Sequence, residues 1–73
     1  MVTIYSTPTC PYCVMAKDYF NQNSIPYKDI NVAEDHNGAR EMIEKSGQMG
    51  VPVIEINGKI IVGFNPGEIK KHL

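Results

Sequence analysis

The chain has 73 residues, of which 42% are hydrophobic and 21% charged, and seven Lys/Arg against eight Asp/Glu give a formal charge of −1. That length fits a single domain spanning residues 1–73, and the composition is that of a folded globule. Near-neutral charge without a basic run argues against nucleic acid as a main partner, and no apolar run approaches the ~20 residues of a membrane span. Met1 leads straight into a strand-like segment rather than a signal peptide, so the expected location is cytoplasmic, where a structural disulfide would be unusual.

Val2-Thr3-Ile4-Tyr5 has the β-formers and alternation of a first strand, and Ser6 to Thr9 has the composition of a loop. Pro11 suits the first position of a helix and makes Cys10 its N-cap. Val14, Met15, Ala16, Tyr19 and Phe20 follow at helical spacing, and Asn21 to Asn23 mark the stop. A second strand is expected over Ile25 to Val32. Residues 34–46 carry a helical pattern with Ala39, Met42 and Ile43 on one face and Gly47 as the stop, although Gly38 blurs its start. Val53-Ile54-Glu55-Ile56 and Lys59-Ile60-Ile61-Val62 flank Asn57-Gly58, the pair that a type I′ hairpin turn favours. A last helix opens at Asn65-Pro66-Gly67-Glu68, with Asn65 as cap, Pro66 at the first position and Glu68 completing a capping box. The order β-α-β-α-β-β-α predicts an α/β fold, one four-stranded mixed sheet flanked by helices.

Both cysteines lie in Cys10-Pro11-Tyr12-Cys13, between the first strand and its helix. In a cytosolic strand–helix–strand unit, C-x-x-C points to thiol–disulfide exchange. As N-cap, Cys10 directs its sulfur at the free N–H groups of the first turn, where the helix dipole also favours negative charge, so its pKa should fall. Cys13, one turn in and covered, should hold its proton longer. Cys10 is thus the expected nucleophile and Cys13 the resolving thiol. At pH 7 a thiol of pKa about 8.5 is roughly 3% ionised and one of pKa about 5 almost fully so. Lower basicity makes each thiolate less nucleophilic, and the two effects nearly cancel in the rate of attack. What the low pKa adds is a good leaving group when another thiol resolves the mixed disulfide. A structural staple is the weaker alternative, because closing so short a loop is worth only about 2 kcal/mol. A zinc site would need four ligands, and His36 and His72, the only histidines, lack ligand spacing.

At these residues the chain resembles the glutaredoxins. Cys10-Pro11-Tyr12-Cys13 is similar to their dithiol motif letter for letter, Lys17 to a lysine on the same helix, Val51-Pro52 to their Thr-Val-Pro segment, and Gly63 to the second glycine of their Gly-Gly turn. The resemblance runs end to end. It implies a thioredoxin-like fold with strand order 2-1-3-4, a cis bond before Pro52, and convergence of the Cys motif, the Pro52 loop and the last helix start on one surface. Catalytic roles fall on Cys10 and Cys13. Substrate or glutathione contacts fall on Pro11, Tyr12, Val51, Pro52, Gly63, Phe64 and Asn65, with Tyr12 walling the groove and Val51 pairing with an extended peptide.

The implied activity is reduction of protein or glutathione mixed disulfides, with glutathione as co-substrate and no tightly bound cofactor or metal. The implied partners are glutathione, a flavoprotein disulfide reductase or both, together with disulfide-containing proteins. No nucleic acid or membrane partner is implied, and the chain is expected to be a monomer. Several positions depart from the glutathione-using pattern. Thr7 stands where a lysine is usual, Gly50 where Thr precedes Val-Pro, Val62 at the first glycine, and Asn65-Pro66 at an acidic pair. Val62-Gly63-Phe64-Asn65-Pro66 instead resembles short glutaredoxin-like redoxins that thioredoxin reductase reduces and that feed ribonucleotide reductase, with Phe64 as an exposed docking aromatic. Some glutaredoxins bridge an iron–sulfur cluster between two chains. Pro11 and Cys13 count against that role, because those members mostly have a single active-site Cys or lack the proline.

Overall fold

The computed structural model describes residues 2–73. Its elements are β1 (Val2–Ser6), α1 (Pro11–Gln22), β2 (Tyr27–Asn31), α2 (His36–Ser46), β3 (Val53–Ile56), β4 (Lys59–Val62) and α3 (Pro66–Lys71). They form one sheet of order β2-β1-β3-β4, with β1 parallel to β2 and the other pairs antiparallel. Ile4 lies opposite Asp29 on one side and Ile54 on the other, so β1 is the central rail. The sheet order is the one the family resemblance implies, and among the described residues no helix is long and apolar enough to cross a membrane.

Alternation along β1 and β3 divides the apolar residues between the two faces. Val2, Ile4, Ile54 and Ile56 join Ile61, Ala16 and Phe20 of α1, and Ile69 of α3 in one buried cluster. Tyr5 and Val53, pointing the other way, meet Met42 of α2 in a second cluster. The helices therefore sandwich the sheet, α1 and α3 on one side and α2 on the other. Fully buried side chains such as Phe20 and Ile54 contribute about 1.5–3 kcal/mol each.

Several expected boundaries shift for local reasons. β2 starts at Tyr27 rather than Ile25, because the Ile25 N–H bonds back to Phe20 O (2.8 Å) and closes the end of α1. α2 starts at His36 rather than residue 34, because Asn31 Oδ1 accepts the Ala33 N–H (3.0 Å) and Asp35 caps the helix by accepting the Gly38 N–H (2.9 Å). Gly38 itself is buried, and a Cβ there would lie 2.5 Å from Ile30 Cγ2, so its role is close packing of α2 on β2. Ile43 is a correction: on α2 only Gly38 and Met42 are buried, and Ile43 is exposed. Similarly, Cys13, Ala16 and Phe20 form the buried row of α1 while Val14 and Met15 face solvent.

The hairpin turn is as expected, with Asn57 at φ +49° and Gly58 at φ +87°. Asn65 caps α3 by accepting the Glu68 N–H (3.3 Å). The Glu68 carboxylate lies near Lys71 Nζ and His72 Nε2, 3.6 Å each, rather than completing the box.

Candidate active site

Cys10 ends the loop after β1 in an extended conformation (φ −91°, ψ 114°), and its carbonyl accepts the Val14 N–H that starts α1 (3.2 Å). Its Sγ accepts the Cys13 N–H at 3.4 Å, so a sulfur occupies the capping place where an oxygen is usual. Cys10 is half-buried, Cys13 fully buried, and both are free thiols. One turn of helix thus separates an accessible sulfur from a covered one.

The electrostatics of the two sulfurs diverge accordingly. Partial burial works against the Cys10 thiolate, but hydrogen bonds from the Cys13 thiol, the Cys13 N–H and the Tyr12 N–H outweigh it, and the pKa falls below the ordinary thiol value. Burial pushes the Cys13 thiol up to about 11, with a further rise from its hydrogen bond to Cys10 and from the Cys10 charge. The Thr7 N–H and the Lys17 ammonium act in the opposite, smaller direction. Lys17 is held by Asp29 Oδ2 (3.0 Å), whose other oxygen accepts the hydroxyl of buried Ser6 (2.7 Å).

Across from the cysteines, the Cys10 thiol donates to Val51 O at 3.8 Å, bringing the segment before β3 against the helix start. The Val51–Pro52 bond is cis, as the resemblance implies, and Pro52 is buried. Pro52 O accepts the Gly63 N–H (2.8 Å), tying the end of β4 to the same loop. Gly63 adopts φ +83°, a backbone conformation that residues with a Cβ rarely take. Cys10, Cys13, Val51, Pro52 and Gly63 are therefore linked by direct contacts, and Pro11 and Tyr12 stand exposed on the helix start, Tyr12 at 61%.

Phe64 is corrected from an exposed aromatic to a half-buried one. It packs against the larger core, its ring 6.0 Å from Tyr19 in an edge-on arrangement. Asn65 is exposed, but its oxygen is committed to the cap of α3. His36 opens α2 and His72 ends α3, so neither shares the Cys10–Cys13 helix start. Sequence patterning missed the Ser6–Asp29–Lys17 chain, since Asp29 sits on an edge strand where a solvated charge is ordinary.

A glutaredoxin family model matches residues 2–61. The chain belongs to the glutaredoxin family. A glutaredoxin-like 8.6 kDa protein encoded in the rubredoxin operon of Clostridium pasteurianum is 54% identical over 71 residues, covering 97% of this chain and 95% of that one. The glutaredoxin-like protein NrdH of Lactococcus lactis MG1363 is 35% identical over 74 residues and 97% of each chain. Among solved structures, the NrdH-redoxin of Escherichia coli superposes with a TM-score of 0.84 at 26% identity, over 96% of this chain and 91% of that one. This glutaredoxin is accordingly a small thiol–disulfide oxidoreductase of thioredoxin fold.

Proposed function

We propose that the protein reduces disulfides of protein substrates by a dithiol cycle, with Cys10 as nucleophile and Cys13 as resolving thiol. The observation that carries this reading is the seating of Cys10 Sγ on the Cys13 N–H (3.4 Å) at the helix start, which leaves one thiol accessible with a lowered pKa and the other buried with a raised one. The Cys10 thiolate attacks one sulfur of a substrate disulfide. That S–S bond breaks, a Cys10–substrate disulfide forms, and the other substrate sulfur leaves as a thiolate that takes a proton from water. Burial still raises the Cys13 pKa, but Cys10 no longer adds its charge to that rise, whereas the Thr7 N–H and Lys17 still favour a Cys13 thiolate. Cys13 gives up its proton and attacks the Cys10 sulfur. The second substrate thiol departs, leaving a Cys10–Cys13 disulfide and a substrate reduced by two electrons. Val51 supplies backbone groups for pairing with an extended substrate, and Tyr12 walls the groove beside them.

A flavoprotein reductase of the thioredoxin reductase type, rather than glutathione, recharges the oxidised form. Asn65 stands where a glutathione-using member would present a carboxylate, and its side chain is occupied in capping α3. The relation to NrdH runs along nearly the whole of both chains, and the Escherichia coli protein is described by its thioredoxin-like activity profile. On this reading, ribonucleotide reductase is the leading candidate for the protein that receives the electrons. The test supplies oxidised protein with NADPH and thioredoxin reductase, or with NADPH, glutathione and glutathione reductase, and follows NADPH consumption against a protein disulfide. Faster turnover with the first system is expected. Faster turnover with glutathione would overturn this choice of reductant.

A further inference from the structure

The segment between α2 and Val51 is organised by a side chain that plays no part in the dithiol chemistry. Gln48 folds over the chain two residues ahead: its Oε1 accepts the Gly50 N–H (2.6 Å) and its Nε2 donates to Gly50 O (2.9 Å). One amide thus satisfies both backbone groups of one residue, as a neighbouring strand would. The base of this clamp is anchored on α2, where Ser46 Oγ donates to Met42 O (2.6 Å) and accepts the Gln48 N–H (3.4 Å). Met49, between the two clamped residues, is 78% exposed.

Gly50 fits this device by its lack of a side chain. Its φ lies outside the left-handed region, so its backbone does not require glycine. A Cβ at position 50, however, would lie 2.7 Å from Gln48 Oε1. The obstacle is the far end of a flexible side chain, so a residue with a Cβ displaces Gln48 and opens the clamp without a collision with the backbone. The next residue is Val51, whose carbonyl accepts from the Cys10 thiol. No strand ladder or loop bond takes up the Val51 N–H among the described residues.

The structure assigns Gln48 and Gly50 to a two-point clamp that fixes the Val51 backbone for pairing with an extended polypeptide, making Gln48 a positioning residue that favours protein disulfides over small ones. The inference rests on the proposed role of Val51 in substrate pairing. A small disulfide needs only the Cys10 sulfur and gains little from an ordered edge. A polypeptide loses affinity when that edge must be ordered at the moment of binding.

The test compares the parent, Gln48→Ala, Gly50→Ala and the double variant on two substrates, an extended peptide carrying a mixed disulfide and 5,5′-dithiobis(2-nitrobenzoate). Each single substitution is expected to lower kcat/KM on the peptide about fivefold, mainly through KM, and to leave the small disulfide within about twofold. Because both substitutions open the same clamp, the double variant should be no worse than either alone. Exchange of the Gly50 amide with deuterated water should accelerate at least about tenfold in Gln48→Ala, since that amide loses its acceptor. Equal losses on the two substrates, additive losses, an unchanged peptide rate or an unchanged Gly50 exchange rate would each overturn the clamp. A parent inert toward both disulfides would instead overturn the dithiol reading, and the amide measurement would still decide the clamp.

Discussion

Beneath α1 and α3 the sheet buries a cluster running from Val2 to Ile69 that includes Phe20, whereas beneath α2 the buried cluster is Tyr5, Met42 and Val53. The lighter face is reinforced by polar ties. Lys45 near the end of α2 reaches Glu55 of β3 (2.9 Å) and the Tyr5 hydroxyl (3.4 Å), with Glu41 at 3.7 Å. The bond to Glu55, then that to Tyr5, raises the Lys45 pKa. The two faces contribute to the site in different ways. The densely packed side carries the helix that fixes both sulfurs. The lightly packed side delivers the Gln48–Val51 segment, whose order depends on hydrogen bonds more than on apolar burial.

If chemistry resides on the α1 side, Cys10→Ser should reduce disulfide turnover on the order of a thousandfold or more, with little change in the thermal midpoint, since Cys10 lies at the rim. Turnover near the parent's would break the assignment. The packing contrast is sharpened by urea unfolding of two core variants. Phe20→Ala should cost about 4 kcal/mol and Met42→Ala about 2 kcal/mol, because the thinner layer collapses more easily around a lost side chain. Equal costs would mean that the two faces are equally packed.

The pH dependence of the reduced protein distinguishes the two sulfurs. Cys10 has a lowered folded pKa, so its contribution to stability is present above the unfolded thiol value and fades as pH falls through the folded value. Cys13 has a raised one, so its contribution is complete below the unfolded value and is lost as pH climbs toward about 11. Iodoacetamide at neutral pH should therefore label Cys10 and spare Cys13, and reduced-state stability should decline from the ordinary thiol range upward. Labelling of Cys13 first would reverse the assignment. The smallest effect is expected from Lys45→Met, about 0.5 kcal/mol after solvent screening, and the difference from the parent should vanish in 1 M salt.

Much of this was legible from residue chemistry. Asn57-Gly58 set the hairpin, Pro11 and Pro66 marked two helix starts, and the C-x-x-C spacing placed both sulfurs at one of those starts. What escaped depended on neighbours distant in sequence or on a side chain's direction. Gly38 only blurs the start of a helix in the sequence, because the Ile30 methyl that excludes a Cβ lies on another element. Ile43 belonged to a plausible apolar face, but the thin α2 layer has depth only for the row through Met42. The resemblance of the Phe64 segment to short redoxins implies an exposed aromatic, whereas the ring packs edge-on against Tyr19 of α1. Gln48 carries no motif at all, and its role emerges only when its amide meets the backbone of Gly50.

The complete burial of Cys13 also bears on survival under oxidants. Hydrogen peroxide reaching the Cys10 thiolate would make a sulfenic acid and hydroxide, the first rung of a ladder whose higher rungs are irreversible. Cys13 is shielded from peroxide by its packing, yet lies within reach of that sulfur. Its thiol can condense with the sulfenic acid, releasing water and forming the same disulfide that the proposed dithiol cycle produces. An oxidative accident is thereby converted into an ordinary oxidised enzyme, repaired by whatever reductant drives the cycle.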